Sequence, residues 1–248
     1  MFRDNIGILG VCHLFLFGVL IPSAALRSKQ RLASRPLPRR DRAFVAAIVQ
    51  QIIFAGFSIW VATKQDIELF PVPAVELPAV AVGFVMLVAA IGFMLPRWKR
   101  NVVNRERKIY IFMPRTGAER AFWLALSAAA GAGEEITYRG VLFTLLLRLI
   151  GNSPLAALAG AVVFGLSHLV QGWKTAAIVV LFALSFQSLV YHSGSLYSAI
   201  VVHFLYDATA GLMYGYFADR FGYPAEPMPP PEPVARPESS TDVVTVMI

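Results

Sequence analysis

Long apolar runs, separated by short polar stretches, fill most of the chain. They occupy residues 6–26, 43–63, 72–95, 121–150, 154–170, 173–191 and 196–216. A helix needs about 20 mainly apolar residues to cross the hydrocarbon core of a bilayer. The pattern therefore predicts an all-α, polytopic bundle of transmembrane helices, with seven spans as the simplest count.

The run at 121–150 is too long for one straight span. Gly131 and Gly133 interrupt it beside two glutamates. We therefore expect either one long, tilted helix or two separate segments, and the second arrangement would raise the count to eight spans.

Composition and charge strengthen the membrane prediction. Of the 248 residues, 57% are hydrophobic and 15% are charged, whereas about a quarter of the residues in a soluble domain are charged. The basic residues behind the net charge of +7 concentrate at 27–42 and 97–120, as cytoplasmic loops do under the positive-inside rule. The orientation of these loops toward the cytoplasm thus explains the net positive charge. We expect the bilayer and a membrane protein or peptide as partners, and no nucleic acid.

The two ends of the chain differ in character. A basic block directly after the first apolar run would resist export, so an uncleaved first span with an outer N-terminus is expected. Residues 1–221 are predicted to form the transmembrane domain of an integral protein of a prokaryotic-type plasma membrane. Prolines dominate 222–248, which predicts a disordered cytoplasmic tail. Glu76 is expected to lie at the interface.

Several ionisable residues lie inside the apolar runs that follow the second basic segment. A charged group at bilayer depth costs several kcal/mol unless it is paired or hydrated, so such residues are functional candidates. They belong to three predicted helices that can converge on one polar intramembrane cavity. The set comprises Glu134, Glu135, Arg139, His168, His203 and Asp207.

The spacing of Glu134, Glu135 and Arg139 suggests different roles for the two glutamates. Glu135 and Arg139 are four residues apart and share a helix face, so an ion pair between them is expected. Glu134 points about 100° away on an ideal helix. It is left free for other chemistry, and a carboxylate in a hydrated cavity suits a general base acting on water. The alternative is that Glu134, Glu135 and Arg139 form an ion-paired cluster with a purely structural role.

The histidines give two further patterns. Phe164 and His168 are four residues apart, so ring and imidazole share a face. His203 and Asp207 have the same spacing, and a local hydrogen bond between them is the structural alternative. His13 and His192 lack such companions and are expected to be structural.

These patterns resemble the CPBP family of CAAX proteases and bacteriocin-processing enzymes. The family motifs Glu-Glu-x-x-x-Arg, Phe-x-x-x-His and His-x-x-x-Asn or Asp occur in order, at 134–139, 164–168 and 203–207. The resemblance covers residues 118–216. It implies an intramembrane endopeptidase that acts on a membrane-associated substrate. The charge of the basic loops, separately, predicts access to the site from the cytoplasmic side.

The resemblance also implies roles for single residues. Glu134 with His168 would activate water, and His203 with Asp207 would stabilise the oxyanion. Glu135, Arg139 and Phe164 would support the site. An ionised Asp207 donates no hydrogen bond, so this residue must be protonated or must orient His203.

Alternative functions remain open at this point. No cofactor is expected, but Glu134, His168, His203 and Asp207 are all competent zinc ligands, so a zinc protease is one alternative. Others are a non-proteolytic immunity or scaffold protein and an ion transporter or proton relay. Against transport, the sequence shows no internal repeat of the kind common in transporters. With Cys12 as the single cysteine, no intrachain disulfide can form.

Overall fold

Within the part of the chain that the structure describes, seven long helices correspond to the seven apolar runs. The computed structural model describes residues 6–71 and 77–230, and within these ranges it contains helices and turns but no strand. The all-α prediction is therefore confirmed. The helices are α1 (Ile8–Ser34), α2 (Arg40–Lys64), α3 (Leu77–Val103), α4 (117–150), α5 (Ser153–Ser167), α6 (Trp173–Ser193) and α7 (Tyr197–Arg220).

Apolar side chains cover the outside of the bundle. Ile52 on α2 and Phe84 and Val85 on α3 are between 62% and 65% exposed, which suits contact with lipid rather than water. Of the described helices, α1, α2, α3 and α6 are each long and apolar enough to cross a membrane, and α5 is a shorter apolar helix. These features fit an integral membrane bundle. The count of seven spans stays a prediction.

Local sequence explains where the helices around the site begin and end. The Thr116 hydroxyl accepts from the Glu119 backbone, and the Glu119 carboxylate accepts from the Thr116 backbone, so a capping box starts α4. Asn152 caps the start of α5. Gly151 adopts φ of 71° at the end of α4, a left-handed conformation that glycine adopts without strain.

Hydrogen bonds join segments that an up-and-down arrangement places at the same end of the bundle. Arg107, in a short 3₁₀-helix, donates to the carbonyls of Leu32 and Met228. Lys108 donates to the Gln171 carbonyl. We call this end the basic end; it is formed by segments 35–39, 104–116, 168–172 and 221–230.

The first part of the predicted tail packs on the bundle. Residues 222–230 form no helix or strand, but Tyr223 is buried and donates to the Glu106 carbonyl. Burial raises the pKa of the Tyr223 hydroxyl to about 12. The apolar ring joins a cluster that includes Trp98, which explains why this part of the tail is held. Residues 231–248, like 1–5 and 72–76 with Glu76, lie outside the described residues.

The long run at 121–150 is part of one uninterrupted helix. Helix α4 has α-helical segments Gly117–Glu134 and Phe143–Ile150, joined by a π-helical segment, Glu135–Leu142. At 1.5 Å per residue it is about 50 Å long. The alternative of two separate segments is therefore wrong.

Two glycines of α4 serve close helix packing instead of breaking the helix. A Cβ at Gly131 would lie 3.0 Å from the backbone nitrogen of Phe204 on α7. A Cβ at Gly133 would lie 3.2 Å from the backbone oxygen of Gln51 on α2. Because glycine has no side chain, α2 and α7 can approach α4 closely beside its two glutamates.

Candidate active site

The ion pair expected within α4 is present. Arg139 Nη1 lies 3.1 Å from Glu135 Oε1, and the two side chains are only 3% and 0% exposed. The guanidinium also lies 4.3 Å from the centre of the Phe164 ring, a favourable cation–π distance. Arg139 therefore links α4 to α5 through Phe164, which itself lines the cavity.

His203 connects this ion pair to the other carboxyl groups. Its Nδ1 lies 2.8 Å from Glu135 Oε1, and because a carboxylate accepts, Nδ1 carries the proton. Its Nε2 lies 3.5 Å from Asp207 Oδ2 and 3.7 Å from Glu134 Oε2. Three carboxyl groups thus surround one imidazole, an arrangement that matches a positively charged ring.

Asp207 is held through its backbone. Its carbonyl accepts a hydrogen bond of 2.9 Å from the Trp123 indole on α4. Its carboxyl group, 31% exposed, stays accessible from the cavity. Asp207 and His203 therefore share a face of α7, as their spacing predicts.

His168 ends α5 with a defined tautomer. Its Nδ1 lies 2.9 Å from the Phe164 carbonyl, which can only accept, so Nδ1 carries the proton. In the neutral ring, Nε2 therefore holds a lone pair. The imidazole packs on the Phe164 ring at 4.5 Å between centroids, as expected from the four-residue spacing.

One cavity brings the predicted residues together. Its volume is about 320 Å³, and Glu134, His168, His203 and Asp207 all line it. From these residues it extends to Arg97, Asn101 and Lys108 at the basic end. A second cavity, of about 430 Å³, shares these three lining residues. Among the residues that the structure describes, no group of three His, Cys, Asp or Glu side chains is arranged to hold a metal ion.

Two residues of the site were not predicted. Gln51 on α2 donates to Glu134 Oε1 at 2.7 Å. Phe186 on α6 stacks on His203, with centroids 5.4 Å apart and planes at 17°. A polar residue in an apolar run was an available signal for Gln51, whereas nothing in the sequence distinguishes Phe186 from other core aromatics.

The remaining histidines lie away from the cavity. His13 is buried, and its Nε2 lies 3.0 Å from Ser58 Oγ, which in turn lies 2.9 Å from Thr137 Oγ1. These contacts with α2 and α4 fit the structural role expected for His13. His192 is exposed at the end of α6.

Part of the chain is similar to a known protein family. Residues 116–209 match the model of the family described as type II CAAX prenyl endopeptidase, Rce1-like. These residues form an Rce1-like domain. The Rce1-like domain begins at the N-cap of α4 and ends two residues after Asp207, so it contains all seven residues singled out from the sequence. No match was found to a curated protein or to a solved structure.

The match of residues 116–209 to this family supports intramembrane protease activity. The Rce1-like domain lies in an apolar helical bundle, which indicates an integral membrane protein whose substrates are membrane-associated. The predicted resemblance is thereby confirmed at the level of the family. Gln51 lies outside the matched segment.

Proposed function

We propose that the chain is a glutamic intramembrane endopeptidase, in which Glu134 and His168 activate water without a metal ion. One observation carries the proposal. Glu134, His168, His203 and Asp207, which come from three helices, line the same cavity. Each step of the proposed reaction is assigned to protein side chains.

The first step is the attack of water on a peptide carbonyl. Glu134 takes one proton from the water, and the lone pair on His168 Nε2 accepts a hydrogen bond from the other. The water oxygen bonds to the carbonyl carbon, and the carbonyl oxygen becomes an oxyanion. Glu134 then returns its proton to the amide nitrogen, the C–N bond breaks, and a new carboxyl group and an amine are released.

His203 is assigned the task of stabilising the negative charge on the oxyanion. The imidazolium form donates from Nε2, which faces the cavity, while Nδ1 remains bound to Glu135. A donor fixed in advance stabilises the developing charge without reorganisation. Asp207, 3.5 Å from the same Nε2, acts as a carboxylate that orients this ring and balances its charge.

Access to the site is proposed from the basic end. The cavity reaches Arg97 and Lys108 there, and basic segments face the cytoplasm under the positive-inside rule. A membrane-associated peptide could therefore reach Glu134 from the cytoplasmic side.

The experiment uses purified protein in proteoliposomes and quenched fluorescent peptide libraries, with and without a prenyl group. Glu134→Gln, His168→Ala and His203→Ala should each lower turnover by about 10²- to 10⁴-fold, the usual contribution of general acid–base groups. His192→Ala changes an exposed histidine outside the cavity and should retain wild-type turnover. Equal turnover by Glu134→Gln and wild type would overturn the proposal.

The same assay separates the alternatives. Cleavage that a chelator abolishes and zinc restores would support a zinc-dependent enzyme with these residues. Absence of cleavage, together with an unchanged cellular phenotype for Glu134→Gln, would support a non-proteolytic immunity or scaffold protein. Flux that depends on an ion gradient would support a transporter.

A further inference from the structure

We propose that Gln51 is the positioning residue for Glu134. Its side-chain amide holds one carboxylate oxygen, so that the other faces His203 and the cavity. This inference rests on the proposed function, in which Glu134 activates water. It adds a residue of α2, outside the segment 116–209 that matches the family model.

The contact has a defined direction. Gln51 Nε2 lies 2.7 Å from Glu134 Oε1, and a carboxylate only accepts, so the amide nitrogen must be the atom that faces it. Glu134 Oε2 lies 3.7 Å from His203 Nε2, beyond hydrogen-bond distance. The two oxygens therefore differ: one is bound by Gln51, and the other remains available to water.

Close packing of α2 on α4 makes this contact possible. A Cβ at Gly133 would lie 3.0 Å from Gln51 Oε1 and 3.2 Å from the Gln51 backbone oxygen. Glycine at this position lets the backbone of α2 come beside the residue that precedes Glu134. The Gln51 side chain thus lies at the contact between α2 and α4, and Gln51 also lines the cavity.

Glu134 needs such a partner more than its neighbour does. Glu135 is fully buried and is held by both Arg139 and His203. Glu134 is partly exposed to the cavity, and among the described residues Gln51 supplies its one hydrogen bond shorter than 3 Å. A glutamate side chain has many rotamers, and misplacement by about 1 Å can cost 10²-fold in rate. Because Gln51 holds Oε1, the position of Oε2, the oxygen that takes the proton from water, is fixed as well.

The kinetic test compares Gln51→Met with Gln50→Met. Methionine keeps the unbranched shape and removes the donor. Gln50 is a matched control, because it is the same residue type on the same helix but is exposed and outside the cavity. Gln51→Met should lower kcat about ten- to a hundredfold, as loss of a hydrogen bond to a charged group does.

KM provides the readout that separates positioning from folding. Gln51 contacts the enzyme's own carboxylate, so KM of Gln51→Met should stay within about threefold of wild type while kcat falls. Gln50→Met should leave both unchanged. A kcat for Gln51→Met within about twofold of wild type, or a fall in kcat equal to that of Gln50→Met, would overturn the inference.

An infrared measurement tests the contact without using activity. The carboxylate band of Glu134 is identified in difference spectra as the band that Glu134→Gln removes. Loss of a hydrogen bond to one oxygen changes the two C–O bonds, so this band should shift in Gln51→Met and stay in place in Gln50→Met. Coincident bands in wild type and Gln51→Met would refute the positioning role. If Glu134→Gln kept full turnover, the proposed function would fail, and the infrared result would still decide the contact.

Discussion

Glu135 Oε1 lies 2.8 Å from His203 Nδ1 and 3.1 Å from Arg139 Nη1. One fully buried oxygen thus faces both a histidine on α7 and an arginine on its own helix. The sequence pattern paired Glu135 with Arg139 alone. Because the same carboxylate balances the guanidinium and fixes the proton on His203 Nδ1, the stability of the bundle and the orientation of the site depend on one residue.

Replacing Glu135 should therefore affect both properties. Glu135→Gln keeps the size of the side chain but leaves Arg139 buried without its counter-charge. Removal of one partner from a buried ion pair costs about 3–5 kcal/mol. We expect a clearly lower midpoint of thermal unfolding in detergent micelles and loss of peptidase turnover.

A double variant provides the control for this prediction. Glu135→Gln with Arg139→Met removes both charges, so it should unfold at a higher temperature than Glu135→Gln alone. Turnover should remain low, because His203 still lacks its carboxylate partner. A double variant no more stable than the single one would contradict the assigned pair.

Asp207 should tolerate asparagine better than alanine. The amide oxygen of Asp207→Asn can still accept from His203 Nε2 and orient the ring, and this residue type occurs in the His-x-x-x-Asn form of the motif. We expect kcat of Asp207→Asn to stay within about tenfold of wild type, whereas Asp207→Ala should lose about 10²- to 10³-fold. Steady-state kinetics at equal protein levels decides this, and wild-type kcat for Asp207→Ala would deny the residue a catalytic role.

Gly131 should be intolerant of any side chain. A Cβ there would lie 3.0 Å from the Phe204 backbone nitrogen and 3.1 Å from the Ile200 carbonyl, and backbone atoms cannot move aside as side chains can. Gly131→Ala should push α4 away from α7, destabilise the protein by about 1–3 kcal/mol and separate the glutamates from His203. Thermal unfolding and turnover are the measurements.

Gly56 offers the matched control for that substitution. It lies within α2, and a Cβ there would meet nothing within 4 Å. Gly56→Ala should retain turnover and gain up to about 1 kcal/mol from better helix propensity. Similar losses in both variants would mean that close approach at Gly131 does not explain the effect.

Arg107 should anchor the beginning of the tail. It donates to the carbonyls of Leu32, Arg35 and Met228, so Arg107→Ala leaves three acceptors without this partner. We expect a loss of about 1–3 kcal/mol and faster proteolytic cleavage within 222–230. Arg100→Ala, at an exposed position of α3, should change neither; cleavage at equal rates in both variants would argue against the anchor.

Some features of this structure leave a local signal in the sequence. Apolar runs located the helices, because crossing a bilayer demands both length and hydrophobicity. The cost of charge at bilayer depth drew attention to Glu135 and Arg139, and four-residue spacing paired them. These inferences needed only neighbours along one helix.

Other features depend on contacts between helices. Gln51 and Glu134 are 83 positions apart, and no period within either run predicts that they meet. Phe186 stacks on His203 but reads as an ordinary core aromatic. In the sequence, Gly131 and Gly133 suggested a helix break. In the structure they allow the close approach of α7 and α2, which depends on tertiary packing and leaves no signal within one helix.

The π-helical segment of α4 has a consequence for how this protein can change. Its hydrogen bonds run from i to i+5, so each turn takes up one residue more than an α-helical turn, and the two halves of α4 are out of phase. Deleting one residue from Glu135–Leu142 would leave a continuous helix but turn one half by about 100° relative to the other. Either Glu134 would leave the cavity or Leu145, fully buried between α1 and α2, would turn outward. The number of residues in this segment is therefore constrained as tightly as the identity of Glu135 and Arg139 within it, and insertions or deletions here should be far more damaging than substitutions on the lipid-facing surface.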